Sequence, residues 1–89
     1  MSGEHIVKLV YFAWVRERTG KAEETVVLPA ALITIADLVH WLKSRDGGYE
    51  TAFANEAVVR AAIDHVHVRP DAALSGAREI AFFPPMTGG

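Results

Sequence analysis

The chain has 89 residues, enough for one small domain and too few for two independent cores. Its composition, 51% hydrophobic against 22% charged with no cysteine, excludes a disordered chain, a disulfide framework, a thiolate metal site and a thiol nucleophile. A net charge of −2 with the two signs interspersed excludes the dense basic face that a nucleic-acid backbone requires.

The amino terminus, Met1-Ser2-Gly3-Glu4-His5, lacks the basic and apolar regions of a signal peptide. Ile6 to Phe12 is rich in β-branched and aromatic residues and predicts a strand, apolar enough to be buried on both faces. Ala13 to Arg18 predicts a helical turn ended by Thr19-Gly20. Glu24 to Leu28 predicts a second strand, antiparallel to the first and stopped by Pro29. The longest charge-free stretch, Thr25 to Ala36, contains Pro29 and is too short to span a bilayer, so a cytoplasmic protein with no membrane partner is expected. Thr34 has the character of a helix N-cap, with Asp37 closing a capping box. Ile35, Leu38, Val39 and Leu42 then fall at i, i+3, i+4 and i+7, one face of a helix. Lys43 and Arg45 complement its dipole, and Gly47-Gly48 is expected to end it.

Tyr49 to Ala57 predicts irregular chain or a short helical turn over the surface. Val58 to Ile63 and Val66 to Val68 predict a short hairpin, followed by turns at Arg69-Pro70-Asp71 and Ser75-Gly76. Glu79 to Phe83 is the last strand, ended by Pro84-Pro85. Two strands, one main helix and further short strands suit an α+β fold. The most apolar strands, the first and the last, pair in parallel at the centre of a mixed sheet, with the helix laid across it. That is a β-grasp, or ubiquitin-like, roll over residues 1–83, with 84–89 as an extended tail.

The tail Pro84-Pro85-Met86-Thr87-Gly88-Gly89 holds the most specific chemistry. Consecutive prolines extend the chain, and two glycines offer no side chain to obstruct a narrow channel. The reactive group there is the terminal carboxylate of Gly89, a poor electrophile until adenylated. On two glycines alone, a frayed end or residues left by cloning is the plainer reading.

The wider context decides against it. The run Glu79-Ile80-Ala81-Phe82-Phe83-Pro84-Pro85-Met86-Thr87-Gly88-Gly89 resembles the carboxyl end of the MoaD/ThiS sulfur-carrier family, to which the small subunits of molybdopterin synthases belong. The opening Val7 to Gly20 is similar to that family's first strand and turn. Two departures fall in turns: Ser75-Gly76-Ala77-Arg78, where an Asp-Gly-Asp type sequence is common, and Asp64, where Asn is frequent.

The resemblance implies a mechanism. A ubiquitin-activating-type enzyme adenylates Gly89 with ATP, a sulfur donor protein converts it to a thiocarboxylate, and no cofactor is held stably by the chain. The tail, with Thr87 and Gly88 giving access, then enters a large synthase subunit in a 2:2 heterotetramer. There it yields sulfur to cyclic pyranopterin monophosphate, forming the dithiolene of molybdenum cofactor, and the catalytic residues belong to the partner. A related carrier for another acceptor, such as the thiazole of thiamine, and a protein modifier are the alternatives.

Phe82, Phe83, Pro84, Pro85 and Met86 are the expected partner surface. Strand alternation sends Phe82 and Phe83 to opposite faces, one into the core and one toward a partner. His65 and His67, two apart beside Asp64, resemble a ligand pair, but no third and fourth ligands follow at zinc spacing and a metal site is rejected. Trp14 and Trp41 are expected at the core or its edge, and Arg16, Arg18 and Arg60 in solvent or at an interface rim. Ser2, Ser44 and Ser75 lack the setting of a phosphopantetheine site, and no Ser/His/Asp arrangement suits a hydrolase.

Overall fold

Alternation along the first strand sets the two sides of the molecule. In β1 (His5–Tyr11), Val7, Leu9 and Tyr11 are buried on one face while Ile6, Lys8 and Val10 lie on the other. The structure is a computed structural model that describes residues 5–45 and 47–85. β1 leads into α1 (Ala13–Thr19), closed by Gly20, whose φ of 78° lets its amide donate to the Arg16 carbonyl. β2 (Glu23–Leu28) returns antiparallel to β1.

α2 (Ile35–Lys43) starts at a complete capping box. The Asp37 amide donates to Thr34 Oγ1 at 3.2 Å, and Asp37 Oδ2 accepts from the Thr34 amide at 3.0 Å. Its buried face is Ile35, Leu38, Val39 and Leu42, packed with Val7, Leu9, Ile80 and Phe82 of the sheet. After α3 (Tyr49–Ala52) and a 3-10 turn at Glu56–Val58 come β3 (Arg60–Ile63), β4 (Val66–Val68) and β5 (Glu79–Phe83). The sheet runs β2-β1-β5-β3-β4, with β1 and β5 parallel and the other pairs antiparallel. It is the expected β-grasp.

Four local expectations are corrected. β1 is central but covered on one face only, and Ile6 is 66% exposed on the other. α2 ends at Lys43 with Ser44 as its cap, before the glycine pair, and Arg45 just beyond it bonds Glu24. Gly48 serves packing instead, since a Cβ there would collide with the Arg18 backbone carbonyl at the crossing of α1 and α3. The segment after it is not a surface run: Tyr49, Ala52 and Phe53 are core residues, Phe53 fully so. The third strand is shorter than expected, because Glu56–Val58 is taken into the 3-10 turn.

A polar hub ties these short elements together. The half-buried Glu24 carboxylate accepts from the Tyr11 and Tyr49 hydroxyls, both at 2.7 Å, and from Arg45 Nη1 and Nη2 at 3.2 and 3.3 Å. Lys21 Nζ donates to the Tyr49 hydroxyl at 2.7 Å. Burial alone would raise the Glu24 pKa, but the hydrogen bonds from Tyr49, Tyr11 and Arg45 outweigh it and hold the carboxyl below its ordinary value. Burial and the same carboxylate push the Tyr11 hydroxyl far above its usual range.

Three perturbations test this architecture. Leu38→Ala, which empties a fully buried site, should cost about 2–5 kcal/mol by denaturant titration. Gly48→Ala should destabilise by roughly 1–3 kcal/mol, because backbone rather than a movable side chain occupies the Cβ position. The carboxyls of Glu24, Asp37, Glu56 and Asp64 are all held below their ordinary values, so the stability they supply is present above the unfolded carboxylate range and lost as pH falls through their folded values. The melting temperature should therefore fall on acidification below about pH 4. Glu24→Gln should melt lower at neutral pH and lose less on acidification.

Candidate functional site

The end of β5 sets where the chain leaves the sheet. β5 pairs with β1 through Leu9↔Ile80 and Tyr11↔Phe82, and a last bond runs from the Phe12 amide to the Phe82 carbonyl at 3.0 Å. Ile80 and Phe82 turn under α2, leaving Glu79, Ala81 and Phe83 on the open face. Phe82 is 0% exposed, its ring stacked on Tyr11 at 6.2 Å and edge-on to Phe53 at 5.1 Å. It has no surface to offer, so its expected place in the partner contact is corrected: of the two phenylalanines, Phe83 faces outward.

Phe83, Pro84 and Pro85 form one side of a groove of about 590 Å³ on the open face. Ala62 and Ala81, adjacent across β3 and β5, belong to its lining, small enough to leave the depression. Phe12 and Ala13 line it at the β1–α1 corner, where Ala13 takes a φ of 51° and the Phe12 ring remains 49% exposed. Phe12 was not among the expected site residues. The signal for it lies in the outward parity of Ile6, Lys8 and Val10, which it continues.

His65, His67 and Glu79 also line the groove. Asp64 and His65, with φ of 49° and 72°, make the two-residue β3–β4 turn, a conformation that Asp tolerates better than most residues. Asp64 Oδ1 accepts from the amides of Arg78 and Glu79 at 3.0 and 2.9 Å, pinning this turn to the start of β5. Those two amide bonds, Glu79's first and then Arg78's, hold the Asp64 carboxyl below its ordinary value. His65 Nε2 lies 3.8 Å from Glu79 Oε2, and the His67 ring 5.0 Å from that of Phe83. Among the described residues no three His, Cys, Asp or Glu groups are placed to hold a metal ion, and no helix is long and apolar enough to cross a membrane.

The other residues singled out do not line the groove. Arg18 stacks 4.3 Å over Trp14 and Arg45 5.5 Å over Trp41, both tryptophans packing at the core edge. Arg60 Nη1 donates to the Ala57 carbonyl at 2.8 Å. Met86, Thr87, Gly88 and Gly89 fall outside the described residues.

The sequence pattern of the ThiS family matches residues 9–89. A molybdopterin synthase sulfur carrier subunit from Mycosarcoma maydis is 30% identical, the match covering 99% of this chain and 98% of that protein. Among solved structures, subunit 1 of a molybdopterin converting factor from Pyrococcus furiosus superposes with a TM-score of 0.72 at 29% identity, covering 91% of this chain and 98% of that one. Small archaeal modifier protein 1 from Methanosarcina acetivorans shares the fold, with a TM-score of 0.67 at 19% identity over 97% and 98% of the two chains.

The opposite settings of the adjacent phenylalanines should separate in mutagenesis. Phe82→Ala should cost about 3–5 kcal/mol in a denaturant titration. Phe83→Ala should cost markedly less, because that ring already meets water.

Proposed function

Since the chain belongs to the ThiS family of ubiquitin-like sulfur carriers, we propose that it is the sulfur-carrier subunit of a molybdopterin synthase. The observation that carries this reading is the parallel β1–β5 pair, which brings the chain to Pro84-Pro85 at the groove, immediately before Met86-Thr87-Gly88-Gly89 in the sequence. Two prolines stiffen the exit, and the glycines thread a channel wide enough for backbone but not for a Cβ. A ubiquitin-activating-type enzyme joins the Gly89 carboxylate to AMP, releasing pyrophosphate from ATP. A sulfur donor protein then replaces AMP, leaving a thiocarboxylate. In the large synthase subunit this end gives its sulfur to cyclic pyranopterin monophosphate, and the catalytic side chains are the partner's.

The open face around the groove is the proposed contact with that subunit, in a 2:2 assembly. Phe12, Phe83, Pro84 and Pro85 present apolar surface beside the exit, and Met86, next in the sequence, is proposed to join the contact. Purified carrier and large subunit, mixed at micromolar concentration, should elute from size-exclusion chromatography as one faster species. Independent elution would count against the assembly.

The chemistry is read by intact-mass spectrometry after incubation with the activating enzyme, ATP and a sulfur source. Exchange of oxygen for sulfur adds about 16 Da at the activated acyl end. One residue added after Gly89 should abolish the gain without lowering the melting temperature. A bulky residue at Gly88 should slow activation or transfer, since a misplacement of about 1 Å can lower a rate a hundredfold. A native chain that never gains the mass with its cognate enzymes would remove the sulfur-carrier reading.

A further inference from the structure

Two alanines lie side by side in the groove. The register sets Ala81 next to Ala62, with Val10 beyond Ala81 and His67 beyond Ala62, one row across β1, β5, β3 and β4. Strands favour β-branched and aromatic residues at such positions, and alanine is depleted there. Packing beneath α2 does not call for small side chains here. Ile80 and Phe82, the β5 neighbours of Ala81, are the core residues, and Ala81 projects the other way. Ala62 is only 6% exposed, yet it stands outside the core cluster. The hollow is thus kept open on the side of the sheet that the core does not use.

Its rim is apolar and it has one acidic end. Phe12, Phe83 and Pro84 line it, and Glu79 lies two residues before Ala81 on the same face. Among the described residues the Glu79 carboxylate has no ion pair with a lysine or arginine. Lys8, its neighbour across β1, is 3.3 Å from Glu23 instead. Arg60, two residues before Ala62, donates to the Ala57 carbonyl. The one basic group within reach is His65, whose Nε2 is 3.8 Å from Glu79 Oε2. A partner that covers this face takes the carboxylate out of water, which is costly unless the partner brings a cation to it.

We propose that the hollow over Ala62 and Ala81 is the anchor site for the large subunit, receiving one bulky apolar side chain of that subunit with a lysine or arginine of the same subunit set against Glu79. The inference rests on the sulfur-carrier reading for the identity of the partner. Complementarity selects this occupant: an apolar pit receives an apolar knob, and an uncompensated carboxylate receives a base. The pit is also continuous with the Phe83-Pro84-Pro85 contact. Interface energy concentrates in a few well-packed anchors of this kind. Ala62 and Ala81 therefore determine which large subunits fit, since a bulkier residue at either position excludes the knob.

The test is the dissociation constant of full-length carrier with the large subunit, measured by calorimetry. Ala81→Leu should weaken binding by about thirtyfold or more, the scale of a lost anchor, without lowering the melting temperature. Ala81→Val, which suits a strand, should act in the same direction and takes its place if the leucine variant does not fold. Glu79→Gln should weaken binding by roughly tenfold, and Glu79→Lys by more. An Ala81 variant that folds and binds as tightly as wild type overturns the anchor. A Glu79→Lys chain that binds as tightly as wild type, or more tightly, overturns the charge pairing. Both results leave the carrier reading standing, because the mass gain of the wild-type chain tests that reading separately. A wild-type chain that gains the mass yet never binds the large subunit overturns this inference and the proposed assembly alone.

Discussion

Phe82 lies between the rings of Tyr11 and Phe53 beneath α2, and the geometry of the exit follows from that placement. A strand's side chains alternate, so burying Phe82 and Ile80 obliges Phe83, Ala81 and Glu79 to face the other way. A slip of one residue would exchange the two sets and drive Glu79 into the core. The parallel register with β1 is thus held by packing on one face and expressed as a groove on the other. The Asp64 turn reinforces it from the far end of β5, holding the amides at Arg78 and Glu79.

The helical face of so small a domain needs more than apolar contact. α1 and α3 span seven and four residues, too short to persist alone. They are kept by Gly48, which lets their backbones meet, and by the Glu24 hub, which joins β1, β2, the chain after α2 and α3 in one hydrogen-bonded set. With both tyrosine hydroxyls and the Arg45 guanidinium bound to it, the carboxylate is compensated where it would otherwise be costly to bury. The stability of the helical face is therefore tied to the ionised state of one residue.

The open face follows the opposite rule. Ile6 and Val27 pair across β1 and β2 at 66% and 52% exposure, and Phe12 stands out beside the exit. None of these side chains is needed beneath α2. A sheet with one covered face ordinarily alternates apolar and polar residues; here the second face keeps apolar groups, as suits a surface that a partner covers. The apolar character of β1, which reads in the sequence as burial on both sides, has this face as its physical counterpart.

What the sequence determined by itself is local or periodic. The capping box at Thr34, the 3.6-residue repeat of Ile35, Leu38, Val39 and Leu42, the αL stop at Gly20 and the diproline that ends β5 act within a few residues, so their effects are legible without the fold. The central parallel pair was also legible, because the two most apolar strands belong at the middle of the sheet. Tertiary structure decided the rest. Tyr49, Ala52 and Phe53 repeat the i, i+3, i+4 spacing only once, over too short a run to read as a helix, and their burial depends on α1 and α2 each packing against α3. Glu24 reads as an ordinary strand-end acid until residues 13 to 25 positions away converge on it. Alternation requires Phe82 and Phe83 to point oppositely but is symmetric between them; which one is buried depends on the side of the sheet where α2 lies, and a single strand's sequence does not encode that side.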